Sequence, residues 1–413
     1  MTIQTPSILL ELNQIETGEF VVGTSLVGGT DVIGDGLSEV STSAVRCSIR
    51  RGRWGQLYDD FEAATVSVTL NNEDREFDPS YASGTYYGEL LPGRRMTVKV
   101  GAYPLVSGFV NDYDLEYDVS GRSVTVLKGT DALGRLGALE FDAWTNGYTY
   151  ATAKLSAICD RSEVAWPGTL QDFIGFSRGP VGGESVPVTL VSDSVSWGSN
   201  VLSYMQLIAR SDYLSWLFAA ADGKLTLRPT VQWSATDGSN WTPGAAVASF
   251  GGANIPYQSI TAQYGSETLY SHVSADTAAI DAQTAVVADL AAWTLDYGPP
   301  RRLTVADLLI DGDTTTPAAY TAQEVTLELA ESLLAFYEAP AFRITEISVE
   351  LAGLSTANQN IVLGIDIAEA VAISFTPNGI TPAISQTVAV QGIAHDITPD
   401  SHVVTLSVID YTA

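Results

Sequence analysis

Histidine, the side chain most suited to proton and metal chemistry, is scarce in this chain of 413 residues: only His272, His395 and His402 occur. His395 and His402 flank the turn signal Pro399-Asp400-Ser401, where a base or metal-ligand role is conceivable; a pair of polar strand-end histidines is the simpler reading. None of the three lies in the HExxH spacing that places two imidazoles on one helix face around zinc. Gly223-Lys224 is followed by Leu225, so the hydroxyl that a phosphate-binding loop needs is missing. No GxSxG nucleophile elbow is present. Asp31, Asp35 and Gly36 outline a calcium loop, but Ile33 and Thr42 stand where ligands are required. Cys47 and Cys159 are too few for a disulfide framework or a zinc site, and their apolar neighbours mark them as core residues. A paired-carboxylate glycosidase has many acids to draw on, yet no pair rises above background. No catalytic constellation, cofactor site or metal site is therefore expected.

Two charge patterns remain. Asp112, Asp114, Glu116 and Asp118 alternate with Tyr113, Leu115 and Tyr117, which puts four carboxylates on one face of a strand. That face is either simply solvated, or an electronegative channel wall past which DNA slides without sticking. Arg46, Arg50, Arg51 and Arg53 lie close in sequence to Asp59 and Asp60, as local ion pairs around a turn or as a protein-docking edge. Lys and Arg total 20 against 48 Asp and Glu, a net charge of −28, which disfavours nucleic-acid and anionic-membrane binding. No apolar run is long enough for a membrane span, and Met1 to Leu12 lacks the basic start of a secretory signal.

The elements that must carry these residues are mainly strands. Residues 1–140 show alternation at Val45/Cys47/Ile49, Val66/Val68/Leu70, Met96/Val98/Val100 and Val124/Val126. Thr130-Asp131 suits a helix N-cap. Residues 141–250 mix helices (151–162 and 200–210) with short strands, and Asp222-Gly223 closes a hairpin between Trp216-Leu217-Phe218 and Leu225-Thr226-Leu227. Residues 251–340 hold polar strands around Ile260 and Tyr264, and a helix near 321–338 opened by the capping box Thr321-Ala322-Gln323-Glu324. Residues 341–413 return to alternation at Ile347/Val349/Leu351, Ile361/Leu363/Ile365/Ile367, Val371/Ile373/Phe375, Val388/Val390 and Val404/Leu406/Val408. So short a segment is small for a barrel, and the Trp216–Leu227 hairpin is the strand pair expected to complete it.

The two β-rich ends share an order. Gly108 to Tyr113, a turn, Val124 to Val126 and Thr130-Asp131 are matched by Gly392 to Ile397, a turn, Val404 to Leu406 and Ile409-Asp410. A glycine entering a strand marks a bulge or a close backbone approach. Convergence of two unrelated β-domains and a degenerate internal repeat both fit the pattern.

The run from Arg51-Gly52-Arg53 through Asp59-Asp60-Phe61-Glu62-Ala63-Ala64-Thr65-Val66-Ser67-Val68-Thr69-Leu70-Asn71-Asn72 to Phe77-Asp78-Pro79 is more distinctive. With Pro92-Gly93-Arg94, Ser107-Gly108-Phe109-Val110 and the closing Val388 to Ile397, it resembles minor tail proteins of long-tailed bacteriophages, in the baseplate or tail-tip hub family. The resemblance is strong over 45–135, moderate over 340–413 and weak between. It implies a mainly β fold with some α, in which two related β-barrel hub domains, 1–140 and 341–413, flank α+β inserts at 141–250 and 251–340. It further implies a non-enzymatic homotrimer, a pseudo-six-fold ring at the distal end of a virion tail, made in the host cytoplasm. The implied partners are a hexameric distal tail protein, the C-terminus of the tape-measure protein and a fibre or tip protein, with DNA passing unbound. The alternatives from other classes are an extracellular adhesin or carbohydrate-binding β-protein presenting Trp233 and Trp241, and a cell-wall hydrolase.

Overall fold

The structure is a computed structural model; it describes residues 4–12, 37–56, 58–181, 184–229, 245–265, 269–277, 286–289, 299–312 and 320–410. The calcium-like residues Asp31, Asp35 and Gly36, the triplet Asn240-Trp241-Thr242 and the two adhesin tryptophans, Trp233 and Trp241, lie outside them.

Alternation does form strands in the first third. These are β1 (Pro6–Glu11), β2 (Leu37–Glu39), β3 (Ala44–Gly52), β4 (Glu62–Asn71), β5 (Arg95–Val100), β6 (Tyr103–Tyr117) and β7 (Ser123–Thr130). Ala64, Val66, Val68 and Leu70 point one way from β4 and are buried, as are Met96, Val98 and Val100 from β5. Each such aliphatic side chain contributes about 1.5–3 kcal/mol on full burial, which fixes which face turns inward. Val45 departs from the pattern and is exposed, because a register shift between Ala44 and Arg46 resets the alternation.

A second set of strands has the same plan. Its members are Ser259–Gln263, Arg343–Glu350, Ala370–Phe375, Ile384–Ile397 and His402–Asp410. In the first unit the sheet runs β3-β4-β7-β6-β5; in the second it runs 259–263, 343–350, 402–410, 384–397, 370–375. Chain order and neighbour order match strand for strand, and all these pairings are antiparallel. Only the sixth strand differs: β1 pairs β5 antiparallel, whereas Ala248–Phe250 pairs its strand parallel. The Trp216–Leu227 hairpin does not complete the second unit. It forms its own three-stranded sheet with Gln171–Phe173. The strands that do complete it, Ala248–Phe250 and Ser259–Gln263, come from just beyond it in sequence.

Inserts interrupt the two units. Helix α1 (Ala132–Gly137) starts on the side chain of Asp131, which accepts from the Leu133 and Gly134 N–H groups. Helices α2 (Ala151–Cys159) and α3 (Val201–Ser211) pack on each other, with Asn200 capping α3. Helix α4 (Ala322–Tyr337) carries the full capping box and buries Val325, Leu329, Leu333 and Phe336 against a sheet that includes His272–Thr277. One alternating run is not a strand. Residues Thr356–Leu363 form helix α5, capped by Ser355, and Ile361 is exposed on it. A period-two pattern of only four residues is overruled by the Ser355 N-cap and by burial of Gln359, Val362 and Leu363 along one helix face.

Candidate functional site

The two β-units meet along one strand pair, and that seam gathers most of the unusual residues. Strand β3 lies antiparallel to the second half of Ile384–Ile397, with Gly52 opposite Gly392 and Cys47 opposite Ile397. The crossing starts where two backbones nearly touch. Gly52 has φ of +93°, and a Cβ there would sit 2.4 Å from the Gln391 carbonyl oxygen. A Cβ on Gly392 would sit 2.7 Å from the Arg53 carbonyl oxygen. Both positions therefore need glycine. Gly108 has a different reason to be glycine: a Cβ there would meet the Thr130 carbonyl at 2.0 Å.

The internal repeat is real in topology, but its register is not the one the glycines suggest. Both long strands carry a bulge, between Val110 and Asp112 and between Val390 and Gly392. Aligning the bulges sets Asp112 beside Gly392, Glu116 beside Asp396 and Tyr117 beside Ile397. The partner strands then match as well, with Asp112 paired to Lys128 and Gly392 to Ser407.

The four arginines separate into two kinds. Arg46 and Arg50 are exposed on the solvent face of β3. Arg46 clasps Asp396 across the seam through Nε (3.1 Å) and Nη2 (3.0 Å), and the Arg50 guanidinium stacks 4.4 Å from the Trp54 ring. Arg51 and Arg53 are buried and unavailable for docking. Arg51 pairs with Asp366 at 2.7 Å. Arg53 donates to Gln391 Oε1 (3.1 Å) and the Asp59 carbonyl (2.8 Å), between the rings of Phe61 and Trp216. Burial lowers its pKa to about 10. The shift between Arg50 and Gly52 turns these two side chains inward, a feature invisible to a count of arginines.

The acidic run also divides. Asp112, Asp114 and Glu116 do share the solvent face of β6, while Tyr113 packs on the core. Asp118 lies past the strand end, accepting from Ser120 N–H and Oγ in the hairpin turn; the Ser120 hydroxyl first of all lowers its pKa. Lys128 on β7 stands opposite Asp112 and makes an ion pair with Asp114. The face is thus less negative than the run alone implies. Ser67, Thr69, Ser48 and Thr405 continue it across β4, β3 and the final hairpin, so one surface spans both units, polar except for the half-buried Val124, Val126 and Val403.

His395 and His402 are buried side by side on the inner face of the seam, His395 Nδ1 3.1 Å from His402 Nε2. They do stand at or near strand ends, His402 opening its strand and His395 two residues from the end of its own, but both are buried rather than solvated. Burial, then the neighbouring imidazole and Arg51, lower the His395 pKa well below its ordinary value; burial lowers that of His402 to about 4, against Glu350 and Asp396. Both are neutral at pH 7, and the interstrand geometry leaves no room for a substrate between them. Cys47 and Cys159 are buried free thiols, pushed up to about 12 by burial. Among the described residues no cluster of three or more His, Cys, Asp or Glu could hold a metal ion, and no helix is long and apolar enough to cross a membrane.

A mainly β chain with two units of like strand order, joined edge to edge and interrupted by α+β inserts, has the fold of phage tail proteins. Over 98% of its length it superposes on the tail protein from Neisseria meningitidis MC58, at 13% identity with a TM-score of 0.59, covering 96% of that chain. It superposes likewise on the 43 kDa tail protein of prophage MuSo2 from Shewanella oneidensis, covering 98% of each chain at 14% identity with a TM-score of 0.56. No protein-family model and no curated protein matches the sequence.

Proposed function

We propose that this chain is a non-enzymatic structural component of a phage tail, a tail-tip or baseplate hub that acts as a homotrimer. The observation that carries the reading is the seam: two units of identical strand order, fused edge to edge within one chain. Three such chains supply six like units, which reconciles a six-fold tube above with three-fold parts below. The ring sits at the distal end of the virion tail and is made in the host cytoplasm. A hexameric distal tail protein and the C-terminus of the tape-measure protein meet it from above, and a fibre or tip protein from below.

The continuous polar sheet face lines the bore in this reading. Its carboxylates Asp112, Asp114 and Glu116, with hydroxyls and internally paired bases, offer DNA no excess of cations to exchange for its counterions. Asp118, at the hairpin turn, belongs to the rim. Native mass measurement of the purified chain with a negative-stain end view tests the trimer; six copies, or one, at this level of a virion map overturn it. Replacing the four acids by Asn and Gln leaves tails assembled and slows DNA ejection, most at low salt. Unchanged ejection at low salt places that face on the outside.

A further inference from the structure

The repeat leaves two strand edges open, and they are the edges that the seam closes inside the chain. Within the chain, the edge of β3 is covered by residues 392–397 of the second unit. The counterpart of β3 is Ser259–Gln263. It pairs only with Arg343–Glu350 and ends the sheet. The counterpart of residues 392–397 is Asp112–Tyr117. These residues pair with β7 on one side, while on the other the pairing with β5 and the turn before it reaches only Val110. Among the described residues each edge therefore lacks a strand that its own repeat possesses.

Side-chain burial points the same way. In the seam Cys47, His395 and Ile397 are buried. At the corresponding open edges Leu115 and Ile260 are only half-buried and Tyr117 is 56% exposed; Tyr264, just past the second edge, is 70% exposed. Apolar residues at positions buried in one repeat and uncovered in the other mark a contact not yet made. An open sheet edge is itself a template for another strand.

We propose that copies of this chain join edge to edge, Asp112–Tyr117 of one copy running antiparallel to Ser259–Gln263 of the next. The seam fixes the register. Asp396 faces Ser48 and Ile397 faces Cys47 within the chain. Transferred through the two alignments, Glu116 faces Thr261 and Tyr117 faces Ile260 of the neighbouring copy. The chemistry is compatible: Ser259 to Tyr264 carries no charge, so the acidic strand meets hydroxyls and amides without like-charge repulsion. Ser259 replaces Arg46, so the contact between copies lacks the clasp on the acid that the internal seam has. A head-to-tail contact of this kind closes into a ring when its rotation divides a full turn. The number of copies at closure rests on the trimer reading above; the strand pairing does not.

The test is the full-length chain with Glu116→Cys and Thr261→Cys together, oxidised with diamide, beside each single variant and a native mass measurement. The native thiols, Cys47 and Cys159, are buried. The expected result is a ladder of disulfide-linked chains that ends at three copies in the double variant and no ladder in either single one. A trimer by mass with no ladder overturns the pairing and spares the trimer. A ladder ending at another number supports the pairing and overturns the trimer. A chain that stays monomeric at about 100 μM without cross-links overturns both.

Discussion

The buried imidazole pair makes a quantitative demand on stability in acid. A histidine whose pKa is lower in the folded state takes up its proton more readily when unfolded, so stability is full above pH 6.5 and falls as the pH drops toward the folded value. His402 moves from 6.5 to about 4. At about 1.4 kcal/mol per unit, that one group removes about 3 kcal/mol between pH 6.5 and pH 4. His395 adds to the loss, since burial and the adjacent imidazole lower it too. Two buried carboxylates work in the opposite sense. Burial raises Asp131 to about 6 and Asp212 to about 7, so each favours the folded state progressively as the pH falls through those values. The raw acid profile therefore mixes both signs, and a difference measurement isolates the histidines. The first unit supplies the replacement: Leu115 occupies the place of His395, and Ser123 that of His402. The variant H395L/H402S should lose at least about 3 kcal/mol less than the parent between pH 6.5 and 4, measured by urea unfolding at half-unit steps. Parallel loss in the two proteins would refute the argument that these imidazoles are held neutral by burial.

Three further outcomes follow from the seam and the inserts. Arg51→Met strands the half-buried Asp366 carboxylate and should lower stability by about 3 kcal/mol, whereas Arg46→Ala breaks an exposed pair and should cost under about 1 kcal/mol; urea midpoints of the two variants at pH 7.5 give the comparison. Gly52→Ala must push a methyl group toward the Gln391 carbonyl at a positive φ, and should cost more than about 3 kcal/mol, read from soluble yield and melting temperature; a melt within 2 °C or so of the parent contradicts the close approach. Asp212→Asn removes a carboxyl raised to about 7 by burial, so its effect on stability should be about 2.5 kcal/mol more favourable at pH 8 than at pH 5; equal effects at both pH values exclude titration of Asp212 in that range.

Much of the fold could be read in advance where burial on one side dictates alternation, as at Val66/Val68/Leu70 or Val404/Leu406/Val408. Capping is equally plain at Asp131 and Thr321, which do locally what their side chains favour. Seam geometry was not, since it depends on single-residue bulges. One shift near Gly52 buries Arg51 and Arg53, and one near Gln391 moves the repeat alignment away from Gly108. Nothing in the spacing of His395 and His402 distinguishes a solvated turn from a buried contact: that difference comes from β3 lying against them, a strand from the far end of the chain. The helix at Thr356–Leu363 escaped for a related reason, as tertiary packing and a serine cap outweighed four alternating aliphatics.

Arg46 and Asp396 are separated by 350 residues in sequence, and the strand pair they clasp sets the order in which the chain can fold. A ribosome adds roughly 5–20 residues per second, so β3 emerges tens of seconds before its partner strand exists. During that interval the nascent first unit presents a bare strand edge flanked by Cys47 and Ile49. Such an edge pairs with whatever strand arrives first, including the same strand on a neighbouring nascent chain. The last-made hairpin is thus the latch of the first-made β-unit.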